Sequence, residues 1–302
     1  MLMSTHTDTT DVAGPKRRFG LRIPTTLLLL LPGLAVFSLF FVLPLAILAV
    51  NSFHGYSRLS GISPDFTIEN YVLALSDRYY IIILTKTFSL ALSSAFFTFL
   101  VGYPVALYFY SASERQQGWI ILLILSPLLV SVIVRTFGWL VILGPNGLVD
   151  VVFKAFGLEG GSILYSQTAV VIGLVNVFLP FFVLSVATSL NAIDPAVPLA
   201  ASSLGASPLR VFASVVFPLS MPGIASGLLI IFSLSSSSFV TPALLGGSKF
   251  RVLSTEIYQD ALVLQNWPFA ASLAIILIFI VLAVLVAQNT FVQHSRYRVV
   301  FH

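Results

Sequence analysis

Six apolar runs dominate this sequence, at about 26–50, 81–110, 118–143, 168–190, 222–243 and 269–292. Each is long enough to cross roughly 30 Å of hydrocarbon at about 1.5 Å per helical residue. Lipid offers the backbone no hydrogen-bond partner, so a spanning segment is a helix or belongs to a closed barrel; these runs do not alternate apolar and polar residues, which selects helices. The expected fold is therefore all-α and integral to a membrane, with six transmembrane helices. Pro and Gly within the runs, such as Gly102 and Pro104, read as local kinks rather than breaks. A soluble chain of 302 residues would suggest about two domains. With 58% hydrophobic residues, 9% charged residues and a mean hydropathy of +1.01, the membrane reading prevails.

Composition removes several kinds of chemistry. There is no Cys, so neither disulfides nor a thiolate metal site is available. The four His, at positions 6, 54, 294 and 302, have no metal-ligand spacing, and no metal site is expected. The net charge of +4 does not point to nucleic acid, because the basic residues are not interleaved with aromatics. Lys16, Arg17, Arg18 and Arg22 instead form a juxtamembrane cluster ahead of the first run. That run exceeds the apolar core of a signal peptide, and no Ala-x-Ala site follows it, so it reads as an uncleaved first span.

Six spans put both termini on one side. With the termini inside, cytoplasmic segments hold eight basic residues (Lys16, Arg17, Arg18, Arg22, Arg115, Arg210, Arg296, Arg298) against five in external loops (Arg58, Arg78, Lys154, Lys249, Arg251), which sets the orientation. Seven of the eleven acids fall outside: Asp65, Glu69, Asp77, Asp150, Glu159, Glu256 and Asp260. The expected layout is a cytoplasmic tail over 1–25, a first helix over 26–50, an external loop over 51–80, a five-helix domain over 81–292 and a cytoplasmic tail over 293–302. No repeat of 20 to 50 residues is visible.

Between spans four and five, the segment of about 191–221 is too apolar for a solvated loop. Asp194 and Pro195 offer an N-cap and a first helical residue, with Pro198 arguing for a start nearer Val197. A short helix then runs to Leu204, and Gly205 ends it in a left-handed conformation. Ser207 and Pro208 repeat the start signal, and Leu209, Phe212 and Val216 share one face of a second helix. Ala200 and Ala201 give a small-residue surface, while Leu204 and Phe212 are sized to fill a pocket. Two readings follow from the residues alone: a partner-docking surface, or an amphipathic hairpin lying on lipid.

The pattern Leu199-Ala200-Ala201, three residues, Gly205, nine residues, then Val215-x-Phe217-Pro218 resembles the "EAA" loop of type I ABC importer permeases. In that family Glu-Ala-Ala, three residues and Gly precede Ile-x-Leu-Pro by nine more, and the loop is the coupling helix that docks in a cleft of the ATPase. The resemblance assigns this role to Leu199, Ala200, Ala201, Leu204, Gly205, Ala206, Ser207 and Phe212. Leu199 stands where the family usually has Glu, so docking here leans on packing. Gly102-Tyr103-Pro104, Arg135 through Trp139, Gly144 through Gly147, Leu244 through Gly247 and Asn266-Trp267-Pro268 are similar to the spermidine/putrescine-type branch, which also includes opine and phosphonate transporters. The likeness covers about 81–290. It implies a bacterial inner-membrane permease that moves a small organic solute. Its partners would be an ATPase dimer that binds ATP and Mg, a second permease (a similar chain or itself), an external solute-binding protein and membrane lipid.

The chain contains no Gly-Lys pair and so no phosphate-binding P-loop, which leaves ATP hydrolysis to another subunit and makes this chain itself no enzyme. Two ionisable residues fall inside the spans. Lys86 can snorkel to the external interface. Arg135 either bonds freed carbonyls and external acids or lines the solute path. Span five carries Ser233 and Ser235 through Ser238, residues that either let helices pack closely or, by the resemblance, line the path. The candidate path residues are Ser235, Ser238, Phe239, Asn176, Phe178 and Arg135. No acid lies within a span, so a path for cations formed by this chain alone is doubtful. An ion-coupled secondary transporter is the competing function; only Arg135 offers it an ionisable group near the midplane. The glycine turns at 144–147 and 246–247 read as external connectors or as part of a docking surface, and the amphiphilic stretch from Phe250 to Gln265 reads as a short external helix.

Overall fold

The computed structural model describes residues 25–157 and 161–294. Lys16, Arg17, Arg18, Arg22, Glu159, Arg296 and Arg298 lie outside the described residues, as do most of both predicted tails. Among the described residues, six helical stretches are long and apolar enough to cross a membrane. The chain divides into two compact units between Ile47 and Leu48. The first contains most of one helix, Thr25–Phe37, which passes through a π-type turn at Ser38–Val42 into Leu43–Asn51. Its apolar window is not buried at all.

In the second unit the spans differ from expectation in instructive ways. Span two runs unbroken from Arg78 to Ser111, and span four from Gln167 to Asn191; helix continues through Pro104 and Pro180. The predicted third helix at 118–143 is instead two helices, Glu114–Leu125 and Val132–Leu143, separated by a tight turn at Ser126–Leu129. Pro127 in that turn has no N–H to donate, which interrupts the ladder. Helix resumes after Gly147 as Leu148–Ala155. Span five starts earlier than 222: helix begins at Pro208, passes a π-type turn at Phe212–Val216 and ends at Ser237, short of the predicted 243. Ser238 is extended (ψ 130°) and breaks it. Span six is Trp267–His294.

The predicted external loop at 51–80 is also structured. His54–Ser57 and Gly61–Phe66 pair as an antiparallel hairpin, followed by a helix at Glu69–Ser76. Asn70 holds this piece together, donating from Nδ2 to the carbonyls of Ser52 (3.0 Å) and His54 (2.8 Å).

Spans two, four and five form the packed centre. Phe182 of span four is fully buried, and glycines flank its ring. A Cβ at Gly102 of span two would lie 2.6 Å from Phe182 Cδ1, and one at Gly227 of span five 2.8 Å from Cδ2. Gly223 is similarly close to Ser185 and Ser189. Hydroxyl and amide bonds cross the same seams. Tyr103 and Ser220 hydroxyls meet at 3.0 Å, Ser185 Oγ donates to the Gly223 carbonyl at 3.0 Å, and Gln167 Nε2 donates to Ser89 and Ser93. Span six is tied to span five by Gln288 Nε2, which donates to the Ala225 carbonyl.

This packing predicts a specific failure. Gly227→Val forces a branched side chain into Phe182, and over-packing of this kind costs about 1–3 kcal/mol. The variant should melt below wild type in detergent, and adding Phe182→Leu should recover part of the loss. Melting indistinguishable from wild type in Gly227→Val alone would refute the contact.

Candidate functional site

One end of the second unit carries the segment between spans four and five. Asp194 Oδ1 accepts from the N–H of Ala196 at 2.9 Å, and a helix follows over Ala196–Ser203. Its start lies one residue before the Val197 that Pro198 suggested. Gly205 has φ +84°, its N–H donates to Ser202 O at 3.0 Å, and the N–H of Ala206 donates to Ala201 O at 3.2 Å. This paired pattern satisfies the last carbonyls of a helix and requires a left-handed residue, which Gly adopts without a Cβ penalty. Nothing lies within 4 Å of a Cβ placed at Gly205, so the constraint is the backbone itself. Ser207 is extended and Pro208 opens the next helix. That helix is the beginning of span five rather than a separate element.

The two short helices present a leucine surface. Leu204 is 90% exposed, Leu209 76% and Leu199 65%. Ala200 and Ser207 are also exposed, and Ala201 and Ala206 are half-buried. Phe212 turns the other way: its ring lies 6.2 Å from that of Tyr103 and 6.1 Å from that of Phe217. It packs the segment against spans two and five, whereas Leu204 and Leu209 point outward.

The predicted path residues are not brought together. Phe178 is packed in the core and Ser235 is 1% exposed, so neither lines a surface of this chain. Ser238 occupies the break after span five, where its carbonyl accepts from Ser254 Oγ at 2.6 Å. Phe239 packs against Tyr258 with ring centroids 4.6 Å apart and the rings tilted by 30°. Arg135 Nη2 donates to the Val130 carbonyl at 3.1 Å, a group freed by the break in the third span. Lys86 reaches over the Phe250 ring, 5.8 Å from its centroid. Asn176 does face an opening. Its Oδ1 accepts from Trp139 Nε1 at 3.4 Å, and both line a groove of about 550 Å³ with Ser93, Phe97, Gln167 and Leu179.

At the opposite end, the stretch after Phe250 forms a helix at Leu253–Tyr258 that continues as a π-type turn at Gln259–Val263. Thr87 Oγ1 of span two accepts from the N–H of Leu253 at 2.8 Å. Glu256 and Asp260, counted in the sequence among external-loop acids, are each 4% exposed. Arg251 Nη1 pairs with Glu256 Oε1 at 3.3 Å and also donates to the Tyr79 hydroxyl at 3.4 Å. Asp260 Oδ2 has no hydrogen-bond partner. Burial, and then the charge of Glu256, push the Asp260 carboxyl up from 3.8 to about 6. No group of three or more His, Cys, Asp or Glu that could hold a metal occurs among the described residues.

Comparison with known proteins places this arrangement. No family model matches the chain. It is 29% identical over 241 residues to the spermidine/putrescine transport system permease protein PotB of Salmonella typhimurium, covering 79% of this chain and 84% of the relative. With PotB of Haemophilus influenzae the identity is 30% over 211 residues, covering 69% and 73%. Among solved structures, a chain of a bacterial ABC transporter involved in import of the acidic polysaccharide alginate superposes with a TM-score of 0.76 at 19% identity, covering 90% of this chain and 96% of that one.

The raised Asp260 carboxyl sets a pH dependence. The folded chain holds this proton more tightly than the unfolded chain, so the stability it contributes is complete below about 3.8 and is lost as pH rises through about 6. In detergent, wild type should therefore lose melting temperature more steeply than Asp260→Asn across that window. Parallel curves would contradict the burial of this carboxyl.

Proposed function

Because the chain belongs to the family of spermidine/putrescine-type ABC importer permeases, we propose that it is the membrane subunit of an ATP-driven importer of small organic amines. The substrate class follows from what its relatives are named for. The observation that carries the coupling role is the helix–Gly–helix segment from Ala196 to Val211, with Leu199, Leu204 and Leu209 outward and Phe212 anchored inward. We read that surface as the part that docks in the cleft of a cytoplasmic ATPase, a reading that goes with both termini on the cytoplasmic side. The ATPase pair binds ATP and Mg; this subunit supplies no catalytic group. A second permease, a similar chain or another copy, completes the path. A solute-binding protein docks at the opposite end, where the hairpin and the glycine turns lie. The competing ion-coupled carrier is not favoured, since the relatives are ABC permeases.

Mechanistically, ATP binding closes the ATPase pair and draws the two coupling segments together, turning the path outward; hydrolysis returns it inward. The energy that separates the two states resides in the ATPase, which binds them differently, and the segment from Leu199 to Ser207 transmits it. For the path we favour the groove at Asn176 and Trp139, with Arg135 bracing the broken third span; Ser238 and Phe239 lie apart from this groove, against Ser254 and Tyr258. Ser235 and Phe178 support it from within the packing.

Gly205→Pro tests the coupling role. Proline fixes φ near −65°, against the +84° found here, and removes the N–H that donates to Ser202. Co-expressed with its neighbouring subunits, the variant should reach the membrane in normal amount yet lose solute-stimulated ATP hydrolysis and uptake. Undiminished solute-stimulated transport would sink the assignment of this segment.

A further inference from the structure

The buried carboxylate at the end opposite the coupling segment lacks a counter-charge. Asp260 and Glu256 are four residues apart on one helical segment, and each is 4% exposed. Glu256 has Arg251. Asp260 has no cation within 4 Å among the described residues, and its Oδ2 is shut off from solvent without a hydrogen-bond partner. An ionised carboxylate taken out of water costs several kcal/mol unless it is paired. Burial and the neighbouring Glu256 both favour a proton on Asp260, and a cation brought to the carboxylate is the alternative way to offset its charge.

The surroundings supply acceptors and aromatic faces, and the cation paired on this segment, Arg251, is taken by Glu256. Both carboxylates are within electrostatic reach of the Tyr80 hydroxyl, and Asp77 and Tyr79 bear on the same group. The Tyr80 ring meets Phe269 of span six edge-on at 4.9 Å. The first turns of span six, from Trp267 to Leu273, carry no charged residue. An ammonium group has three donors to satisfy and is attracted to aromatic faces. The segment that carries Asp260 is one of four π-type turns among the described residues, and it is followed by Gln265 at φ +58°, an uncommon conformation for a residue other than Gly.

We infer that Asp260, with Glu256 beside it and Tyr80 facing it, is a station for a primary ammonium group of the transported amine, reached when the Leu253–Val263 segment shifts. This rests on the amine-importer reading above, and it gives a single chain the carboxylates that its spans lack.

The test uses the assembled wild-type transporter treated with a hydrophobic carbodiimide, with modification of Asp260 followed by mass spectrometry. Putrescine should slow total modification of Asp260, counting both the carbodiimide adduct and any amide formed with the amine, whereas glycinamide at the same amine concentration and sodium chloride at the same ionic strength should not. Equal labelling with and without putrescine, or equal protection by sodium, would overturn the station. So would protection that appears only with the unloaded binding protein, since a lysine of that protein would then be the cation. In uptake assays Asp260→Asn should raise the KM for putrescine on the order of 30-fold, with Asp260→Glu recovering most of it; an unchanged KM in Asp260→Asn would also overturn it. A wild-type transporter that takes up no amine would fail the substrate reading separately, because the labelling experiment does not depend on uptake.

Discussion

Lipid gives helices no hydrophobic reason to associate, so this bundle depends on how closely its backbones approach, and the Phe182 ring is where that is decided. Gly102 and Gly227 leave no Cβ in its way, and the ring fills the space between spans two and five. With Gly223 against Ser185 and the Tyr103 and Ser220 hydroxyls joined, three spans become one body. The segment between spans four and five leaves this body at Asn191 and rejoins it at Pro208, and Phe212 lies against Tyr103 of span two. A displacement at Leu204 is therefore passed to packed helices instead of being absorbed in a slack loop.

What the sequence made legible was local chemistry. Asp194 accepting from Ala196, Gly205 in the left-handed region and Ser207 before Pro208 each depend on residues within a few positions, and each was readable from residue type. The same holds for the six apolar stretches. Boundaries were less legible where hydropathy runs on without change. Both sides of Pro127 are apolar, and prolines at 104 and 180 are carried within unbroken helices, so Pro127 alone did not mark the turn at Ser126–Leu129. At span five, the moderately apolar start from Pro208 hid a helix that continues directly into the bundle.

Orientation and burial were not legible, because they depend on partners distant in sequence. Serines in span five suit either a path or close packing, and Ser235 proves buried through contacts that only the folded bundle supplies. Glu256 and Asp260 sit in a stretch with the polarity of an ordinary loop. They are buried because Thr87 of span two anchors the start of their helix and span six packs alongside it. The hairpin at 54–66 escaped notice because its strands are short and one contains a proline.

The leucine at position 199 bears on how strongly such a segment can couple. Driving a two-state path from mostly closed to mostly open, 1:99 to 99:1, requires a difference of about 5.5 kcal/mol between the partner's affinities for the two states. Fully burying one leucine side chain contributes roughly 1.5–3 kcal/mol. Leu199, Leu204 and Leu209 are all largely exposed on this surface. Buried together in one state and released in the other, they would supply a difference of the required size without an ionic contact. On the proposed coupling role, Leu in place of the family's usual Glu would change the kind of grip on an ATPase, from one weakened by salt to one set by apolar area, without reducing its strength.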